Sequence, residues 1–259
     1  MKLSILSAVH GIKSQRGDIY KFFLRRMAHL KDKYGIETLV VGSERRFSYE
    51  PTNEAGLIYL QQPNNPVSDK WNAGLQALRE QEPTHVMVMG SDDLVSDSLI
   101  ERYLDIIKED KYGMFGITDS YYTSLKPDGE WFNKCYYWPG YEPIKFIIGY
   151  AKVYSDFVLH KVKWRLWPTG IDSRLDGGAN DVIEESGLTC RRKQISIKEE
   201  GHLHIDIKTE MNISSLSPIA RDGREVDLDE LLRRHLPPWE AEDIISYRDT
   251  VAYVANEIR

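Results

Sequence analysis

The sequence predicts an α/β protein in which helices flank a mainly parallel sheet, followed by a C-terminal helical appendage. Short apolar runs alternate with segments of helical periodicity over residues 1–110, an order typical of parallel sheets with crossover helices. One run, "HVMVM" at 85–89, is apolar throughout, as in a strand that is buried on both faces. From about Ser217 the composition becomes charged and helical, which predicts the appendage.

Four strands are predicted in the first half. The first, "KLSILSAV" at 2–9, ends at a His-Gly pair, and the second is "IETLVVG" at 36–42. The third is "GLIYL" at 56–60, which a proline-rich loop follows, and the fourth is the apolar run at 85–89.

Three helices are predicted between and after these strands. Apolar residues recur at helical spacing over residues 18–34, where Gly35 ends the helix, and again over residues 69–80. A third helix follows the fourth strand, and Ser98 and Glu101 have the spacing of a capping box at its start.

The second half of the chain is less regular. Residues 121–141 carry many aromatic side chains, and "KFIIGYAKVYS" at 145–155 predicts a strand that turns into a short helix. The Gly- and Asp-rich stretch at 164–187 predicts a loop that leads into a helix near Asp181–Glu185. Alternation in "ISIKEEGHLHIDI" at 195–207 predicts short strands.

Composition excludes several classes of protein. The 259 residues are 41% hydrophobic and 29% charged, which fits a globular chain with a core. The net charge of −6 argues against broad nucleic-acid binding, because that affinity comes from basic residues that meet phosphates. The two cysteines, Cys135 and Cys190, form neither a disulfide framework nor a metal-binding set, which favours a reducing, cytoplasmic setting. We expect no membrane span and no signal peptide.

Two adjacent carboxylates follow the fourth strand. Ser91, Asp92 and Asp93 are expected at the carboxyl edge of the sheet, where ligands of parallel α/β sheets bind. Magnesium and manganese ions take oxygen ligands, and Mg²⁺ typically binds through one or two carboxylates plus substrate phosphates. A turn with a helix cap is the alternative interpretation, because Asp favours both.

Residues 1–110 resemble the nucleotide-sugar half of a family 2 glycosyltransferase with the GT-A fold, which is Rossmann-like. The matching segments occur in the family's order and are "KLSILSAV", "ETLVVGSE", "NNPVSDKWNAGLQAL" and "VMVMGSDDLVSDSLIERYL". The resemblance implies a GT-A domain at 1–216, with its acceptor half at 111–216, and a C-terminal helical extension at 217–259.

The same resemblance implies a function. The protein would transfer a sugar from a nucleotide-diphosphate donor to an acceptor hydroxyl, with inversion and with Mn²⁺ or Mg²⁺ as cofactor. UDP is the default nucleotide because it is common in the family. The acceptor would be a glycan or a small molecule, and the C-terminal helices are a candidate homodimer surface.

Resemblance also assigns the donor site. It gives the ribose contact to Asp92 and the metal to Asp93 or to both aspartates, although Gly90 stands where many relatives have a first acidic residue. Glu44 is the candidate reader of the base, because the family often has an acidic pair after its second strand.

Three further residues are candidate donor contacts. Lys70 and Asn72 lie in the segment that resembles the family's Asn-small-Gly-Leu helix, and Lys208 is a candidate on charge alone. One of His202 and His204, with His204 preferred, is the candidate third metal ligand, since the family often takes a histidine or an acid from this region. A surface histidine on a strand is the alternative interpretation.

The acceptor half supplies the remaining candidates. A carboxylate within hydrogen-bond reach can take the proton of the acceptor hydroxyl, and the resemblance places that base just before a helix. Asp181 is the favoured candidate, with Asp172 and Asp176 as rivals in the same loop and a helix cap as the alternative role. Trp131 and Trp138 are candidate acceptor contacts, because aromatic rings suit a sugar platform.

Three other functions stay open. A nucleotidyltransferase uses a related sheet but needs a Gly-rich phosphate loop after the first strand, where "SAVHGIKSQRGD" has only scattered glycines. A non-catalytic protein that binds nucleotide sugars is the second, since a fold does not guarantee activity. The third is a transferase that glycosylates modified bases of nucleic acid, which the acidic balance of the chain disfavours.

Overall fold

The computed structural model describes residues 1–9, 15–125, 134–140, 146–208 and 222–257. Within these residues the chain forms two sheets and the helices that cover them.

The elements are numbered in chain order. The strands are β1 (Leu3–Ala8), β2 (Glu37–Gly42), β3 (Ile58–Gln61), β4 (His85–Gly90), β5 (Asp93–Val95), β6 (Met114–Ile117), β7 (Ser120–Ser124), β8 (Cys135–Trp138), β9 (Lys152–Ser155), β10 (Arg192–Ile195), β11 (His204–Lys208) and β12 (Arg224–Val226). The helices are α1 (Gln15–Tyr34), α2 (Glu50–Glu54), α3 (Val67–Arg79), α4 (Asp97–Glu109), α5 (Asp156–Lys161), α6 (Leu175–Glu185), α7 (Ile197–Glu200), α8 (Leu228–His235) and α9 (Pro238–Glu257). A π-helical turn (Arg45–Tyr49) precedes α2.

The larger sheet has the strand order β10-β6-β9-β4-β1-β2-β3. Strands β3, β2, β1 and β4 are mutually parallel, and β9 runs antiparallel to both of its neighbours, β4 and β6. The smaller sheet has the order β12-β8-β7-β11-β5 and is largely antiparallel. The predicted α/β class with a mainly parallel sheet is therefore confirmed.

The apolar sequence of β4 follows from its position in the middle of the larger sheet. Met87 and Met89 pack into the core cluster on one side, whereas Val86 and Val88 pack into the cluster on the other. Because successive side chains of a strand point to opposite faces, a strand covered on both sides needs apolar residues at every position.

The cap of helix α4 is Ser96 rather than the predicted Ser98. The Ser96 hydroxyl accepts a hydrogen bond from the amide of Leu99 at 3.2 Å. The Ser98 hydroxyl contacts the hydroxyl of Ser96 at 2.9 Å and Nδ1 of His202 at 3.0 Å. The predicted pair had the right residue types. However, the short strand β5 ends at Val95, so the helix begins directly after it and Ser96 takes the cap position.

The C-terminal segment packs onto the main core. Strand β12 pairs with β8, and apolar residues of α8 and α9 join the core cluster that contains β1. Arg26 of α1 is fully buried and connects α4 to α9: its guanidinium lies 2.5 Å from Asp97 and 3.3 Å from Glu240. Among the residues described, none of the helices combines the length and hydropathy that a transmembrane segment requires.

We predict that Asp97→Asn lowers the free energy of unfolding by about 2 kcal/mol at pH 7, because Arg26 loses its closest counter-charge inside the protein. Burial alone would raise the pKa of Asp97, but the hydrogen bond from Lys33 and the charge of Arg26 outweigh it and hold the pKa at about 2. A lowered folded-state pKa stabilises the protein above the unfolded-state pKa, and that contribution is lost as the pH falls towards 2.

Urea unfolding of the wild type and of Asp97→Asn at pH 7, 5 and 3 checks this prediction. The difference between the two proteins should be constant from pH 7 to 5 and smaller at pH 3. Asp105→Asn is the matched control, because Asp105 is an exposed acid of the same helix that pairs with the exposed Lys108. A difference that stays the same at pH 3 contradicts the prediction.

Candidate functional site

A cleft of about 510 Å³ opens at the carboxyl ends of the parallel strands. It lies between the N-terminal ends of α3 and α6, with β4 beneath it and β11 at one side. Polar residues that line it include Asn64, Lys70, Asp92, Asp93, Asp172, Asp176, Asp206 and Lys208. This is the position at which α/β sheets bind ligands.

Three carboxylates meet at one end of the cleft. Asp92, Asp93 and Asp206 offer oxygens that lie within 4.8 Å of one another, and all three side chains are buried. Strand pairing brings them together: β5 starts at Asp93 and runs antiparallel to β11, with Asp93 opposite Asp206. Buried carboxylates are costly unless donors or a cation compensate their charge, so this cluster has the properties of a cation site.

Lys208 compensates one of these charges. Its ammonium donates to Asp206 Oδ2 at 2.5 Å. Burial raises the pKa of Asp206, and the neighbouring Asp92 and Asp93 add to that rise, while Lys208 opposes it. Burial alone would lower the pKa of Lys208, but Asp206 and Asp92 outweigh it and raise the pKa. Lys208 therefore stays charged beside the three carboxyl groups.

His204 lies next to the acidic cluster. Its Nε2 is 3.7 Å from Asp93 Oδ2, its Nδ1 is 2.6 Å from the hydroxyl of Ser120, and its ring stacks on Tyr150 with centroids 5.1 Å apart. Within the described part of the chain, neither His204 Nε2 nor Asp206 Oδ1 has a hydrogen-bond partner, although both atoms are buried.

These two buried atoms without hydrogen-bond partners, at and beside the acidic cluster, fit a divalent metal ion. Carboxylate oxygens suit Mg²⁺ and Mn²⁺, and an imidazole whose other nitrogen is hydrogen-bonded is oriented for metal binding. Of the predicted ligands, Asp92 and Asp93 belong to this cluster, whereas His204 lies beside Asp93 and outside the group of three carboxylates. Sequence analysis did not select Asp206 as a ligand, although its position two residues after His204 on the same strand face was the available signal.

Gly90 makes room for the carboxylates. Its amide donates to Asp93 Oδ2 at 2.7 Å. A Cβ atom at position 90 would lie 2.7 Å from that oxygen and 2.8 Å from Asp92 Oδ1, which is closer than real Cβ contacts. A side chain at position 90 would therefore displace the carboxylates of both aspartates.

A second polar network joins the loops after β1, β2 and β3. Lys70 Nζ donates to the carbonyl of Val9 and, at 2.7 Å, to Asn64 Oδ1, and Asn64 Nδ2 donates to Glu44 Oε1 at 2.8 Å. Burial alone would raise the pKa of Glu44, but hydrogen bonds from Ser43 and Asn64 outweigh it and lower the pKa. Lys70 and Asn64 line the cleft, and Glu44 lies behind Asn64.

Asn72 is not among the residues that line the cleft. Its Nδ2 donates to the carbonyl of Trp167 at 2.8 Å, and its Oδ1 accepts from the amide of Trp167 at 3.2 Å. Both amide atoms of this predicted donor contact are therefore bonded to the backbone of the loop that precedes α6.

The three candidate bases have different environments. Asp181 is exposed in the middle of α6, and the structure does not bring it to the cleft. Asp172 Oδ1 accepts from the amide of Val67 at 2.8 Å, as a cap of α3. Asp176 lies in the first turn of α6 and lines the cleft.

The carboxylate of Asp176 lies directly against the backbone of Gly149. A Cβ atom at Gly149 would be only 1.6 Å from Asp176 Oδ1. Asp176 is exposed to solvent, as Asp181 is, yet neighbouring protein atoms desolvate its carboxyl and raise its pKa; Lys152 opposes that rise and Asp93 adds to it. Helix α6 begins at Leu175 rather than near the predicted Asp181, so the acid at its first turn is Asp176.

Trp138, one of the two predicted acceptor contacts, does not line the cleft. Trp131 lies outside the described residues, and Trp138 ends β8, where it packs edge-on against Tyr122 with centroids 6.1 Å apart. Trp71 and Trp167 line the cleft instead, with their rings tilted by 42° and centroids 5.5 Å apart. Neither of these two tryptophans was among the site residues predicted from the sequence.

No family model and no curated protein sequence matches the chain. Solved structures do resemble it. TarS of S. aureus is 15% identical with a TM-score of 0.52, and the match covers 96% of this chain and 43% of that TarS chain. TarS in complex with UDP-GlcNAc is 12% identical with a TM-score of 0.52, covering 97% of this chain and 70% of that one.

A second type of protein is also similar in structure. The 4-diphosphocytidyl-2C-methyl-D-erythritol synthase of Anaerococcus prevotii is 10% identical with a TM-score of 0.51, and the match covers 85% of this chain and 94% of that one. Sequence identities this low show that the folds are similar and show nothing about activity. At that level the resemblance stated from the sequence is confirmed: the chain has a GT-A-like α/β fold.

Proposed function

We propose that the protein is a metal-dependent glycosyltransferase that moves a sugar from a nucleotide-diphosphate donor to an acceptor hydroxyl with inversion. One observation carries this proposal: a single cleft holds a buried cluster of metal-type ligands together with a further acid, Asp176, whose pKa is raised. UDP is the proposed nucleotide, since a structural neighbour, TarS, is solved with UDP-GlcNAc and with UDP.

The acidic cluster would hold the metal and the diphosphate. Asp92, Asp93 and Asp206 would supply oxygen ligands that suit Mn²⁺ or Mg²⁺, and His204, whose Nε2 lies 3.7 Å from Asp93 Oδ2, is a further candidate ligand. When bound, the ion would neutralise the negative charge that a diphosphate gains as it leaves. Lys208 adds a fixed positive charge to the same end of the cleft, where it attracts the phosphates.

Asp176 is the proposed general base. It accepts the proton of the acceptor hydroxyl while the hydroxyl oxygen bonds to the anomeric carbon and the bond from that carbon to the phosphate oxygen breaks. A single displacement on the face opposite the leaving group inverts the configuration. Desolvation raises the pKa of Asp176, which makes its carboxylate a stronger base than an ordinary aspartate.

We expect Asp176→Asn to lower kcat by about 100-fold or more, because the amide cannot accept the proton. Donor affinity should change by no more than about twofold, since Asp176 is not among the three carboxylates of the proposed metal site. Asp181→Asn is the matched control and should keep wild-type kcat, because Asp181 is exposed on α6 outside the cleft.

Release of nucleoside diphosphate from a panel of nucleotide sugars, with Mn²⁺ and with sugar acceptors or water, measures kcat. Calorimetry measures donor affinity. Loss of activity in Asp181→Asn together with an active Asp176→Asn would assign the base to Asp181. Donor binding that is the same with and without Mn²⁺ would refute the metal site.

Gly90→Ala should weaken Mn²⁺-dependent nucleotide binding by about tenfold or more, because the new methyl group displaces the carboxylates of Asp92 and Asp93. Gly177→Ala is the control. Beyond the backbone of its own helix, a Cβ atom at position 177 would have no described atom within 4 Å, and alanine is tolerated in helices. Titration of each variant with Mn²⁺ at a fixed nucleotide concentration measures the effect. Equal Mn²⁺ dependence in the two variants would contradict this account of Gly90.

A nucleotidyltransferase is the second candidate, because the chain also resembles the Anaerococcus prevotii synthase over 94% of the length of that protein. The products distinguish the two reactions. A glycosyltransferase releases nucleoside diphosphate from a nucleotide sugar, whereas a nucleotidyltransferase releases pyrophosphate from a nucleoside triphosphate. We expect nucleoside diphosphate, and pyrophosphate release from CTP or UTP would favour the second candidate.

A further inference from the structure

We propose that Asn72 is a positioning residue: it holds the loop that carries Asp176 into the cleft, and it sets the rate of transfer without touching the donor. The inference rests on the proposed function, because it takes Asp176 as the base. It assigns Asn72 a role different from the donor contact that the family resemblance implies.

Helix α3 is bonded along one side to residues 163–172, called here the bridging loop. The two segments are far apart in sequence, and the loop leads directly into α6. Gln76 Nε2 donates to the carbonyls of Lys163 (2.9 Å) and Trp164 (3.0 Å), and the Asn72 side chain bonds to both backbone groups of Trp167. Asp69 Oδ1 accepts from the amide of Gly170 (3.2 Å), and the Val67 amide donates to Asp172 Oδ1 (2.8 Å). The Ser68 hydroxyl accepts from the amide of Ile171 (3.0 Å), and the Ser68 amide donates to the carbonyl of Ile171 (3.0 Å).

Asn72 makes both of its bonds with its side chain, and both bonds are buried; Ser68 is also buried and bonds twice to Ile171, but one of those bonds comes from its backbone amide. Asn72 is 8% exposed and Trp167 is 5% exposed, whereas the bonds at Gly170 and Asp172 lie at the surface. A buried hydrogen bond does not exchange readily with water, and its loss leaves backbone groups unsatisfied. Asn72 therefore fixes the position of the loop at its middle.

The bridging loop in turn fixes the start of α6. Helix α6 approaches the loop closely at Gly178, where a Cβ atom would lie 2.8 Å from Pro168 Cδ and 3.2 Å from Ile171 Cδ1. Asp176 is two residues before Gly178, and its carboxylate is confined on the other side by Gly149. A shift of the loop therefore moves α6 and the carboxylate together.

Small displacements of this kind have large effects on rate. Catalytic groups must lie close to the productive geometry, and a misplacement of about 1 Å can cost about 100-fold in rate. The donor subsite should not share this sensitivity, since Asp92, Asp93, Asp206 and Lys208 belong to β5, β11 and the turn after β4 rather than to the bridging loop.

The experiment compares Asn72→Ala with the control Gln76→Ala. Both changes remove two hydrogen bonds between α3 and the bridging loop, but those of Gln76 lie at the start of the loop, far in sequence from Asp176. We expect kcat to fall about 10- to 100-fold in Asn72→Ala and to stay within about twofold in Gln76→Ala. The donor Kd with Mn²⁺ should stay within about twofold in both.

A double variant tests whether Asn72 acts through Asp176. In an Asp176→Asn background, Asn72→Ala should lower kcat no further, because the group that it positions is already gone. Asn72→Asp is the second variant in case the alanine variant does not fold. It keeps an acceptor for the Trp167 amide but lacks a donor for the Trp167 carbonyl, so it should also lower kcat at constant Kd.

Two results would overturn the proposal: a weaker donor Kd with unchanged kcat, which makes Asn72 a donor contact, or no change in either constant. If the wild type releases no nucleoside diphosphate, the proposed function fails separately. Amide hydrogen exchange then still decides the structural claim. Exchange over residues 167–178 should be faster in Asn72→Ala than in Gln76→Ala, and equal exchange would refute it.

Discussion

The antiparallel pairing of β5 with β11 is the constraint on which the site depends. It places Asp93 opposite Asp206 and so buries three carboxylates at the end of β4, where Lys208 supplies a fixed counter-charge to one of them. Such a cluster is stable only if further positive charge or hydrogen-bond donors are supplied. The amide of Gly90 donates one such hydrogen bond to Asp93, and Nε2 of His204, which has no hydrogen-bond partner among the described residues, lies 3.7 Å from the same carboxylate.

The part of the site that lies in one short stretch of the chain, Asp92 and Asp93, could be predicted from the sequence. Strand β4 is apolar at every position from Val86 to Met89 and leads to the acidic pair, so the strand, its burial and the position of Asp92 and Asp93 all follow from one short stretch. Asp206 could not be found in this way. Strand β5 has three residues, too few to show a periodicity, and its register with β11 depends on contacts between distant parts of the chain.

The start of α6 was missed for a related reason. Gly177 and Gly178 lower the helix propensity of the segment, so the sequence favours a loop there. In the structure, packing against Pro168 compensates for that propensity, and a larger residue at position 178 would prevent the contact. Tertiary contacts therefore extend the helix back to Leu175 and move the acid of its first turn from Asp181 to Asp176.

Comparison with a fully buried acid indicates why Asp176 is suited to proton transfer. Asp119 accepts hydrogen bonds from Tyr137, Ser196 and two backbone amides at the start of α7, as expected of a carboxylate with a structural role. Asp176 forms no hydrogen bond with any residue that the structure describes, and contact with the Gly149 backbone confines it instead. A carboxylate held by packing rather than by donors keeps its oxygens available to a substrate hydroxyl. Desolvation without donors also raises its pKa, so placement and basicity have the same structural origin.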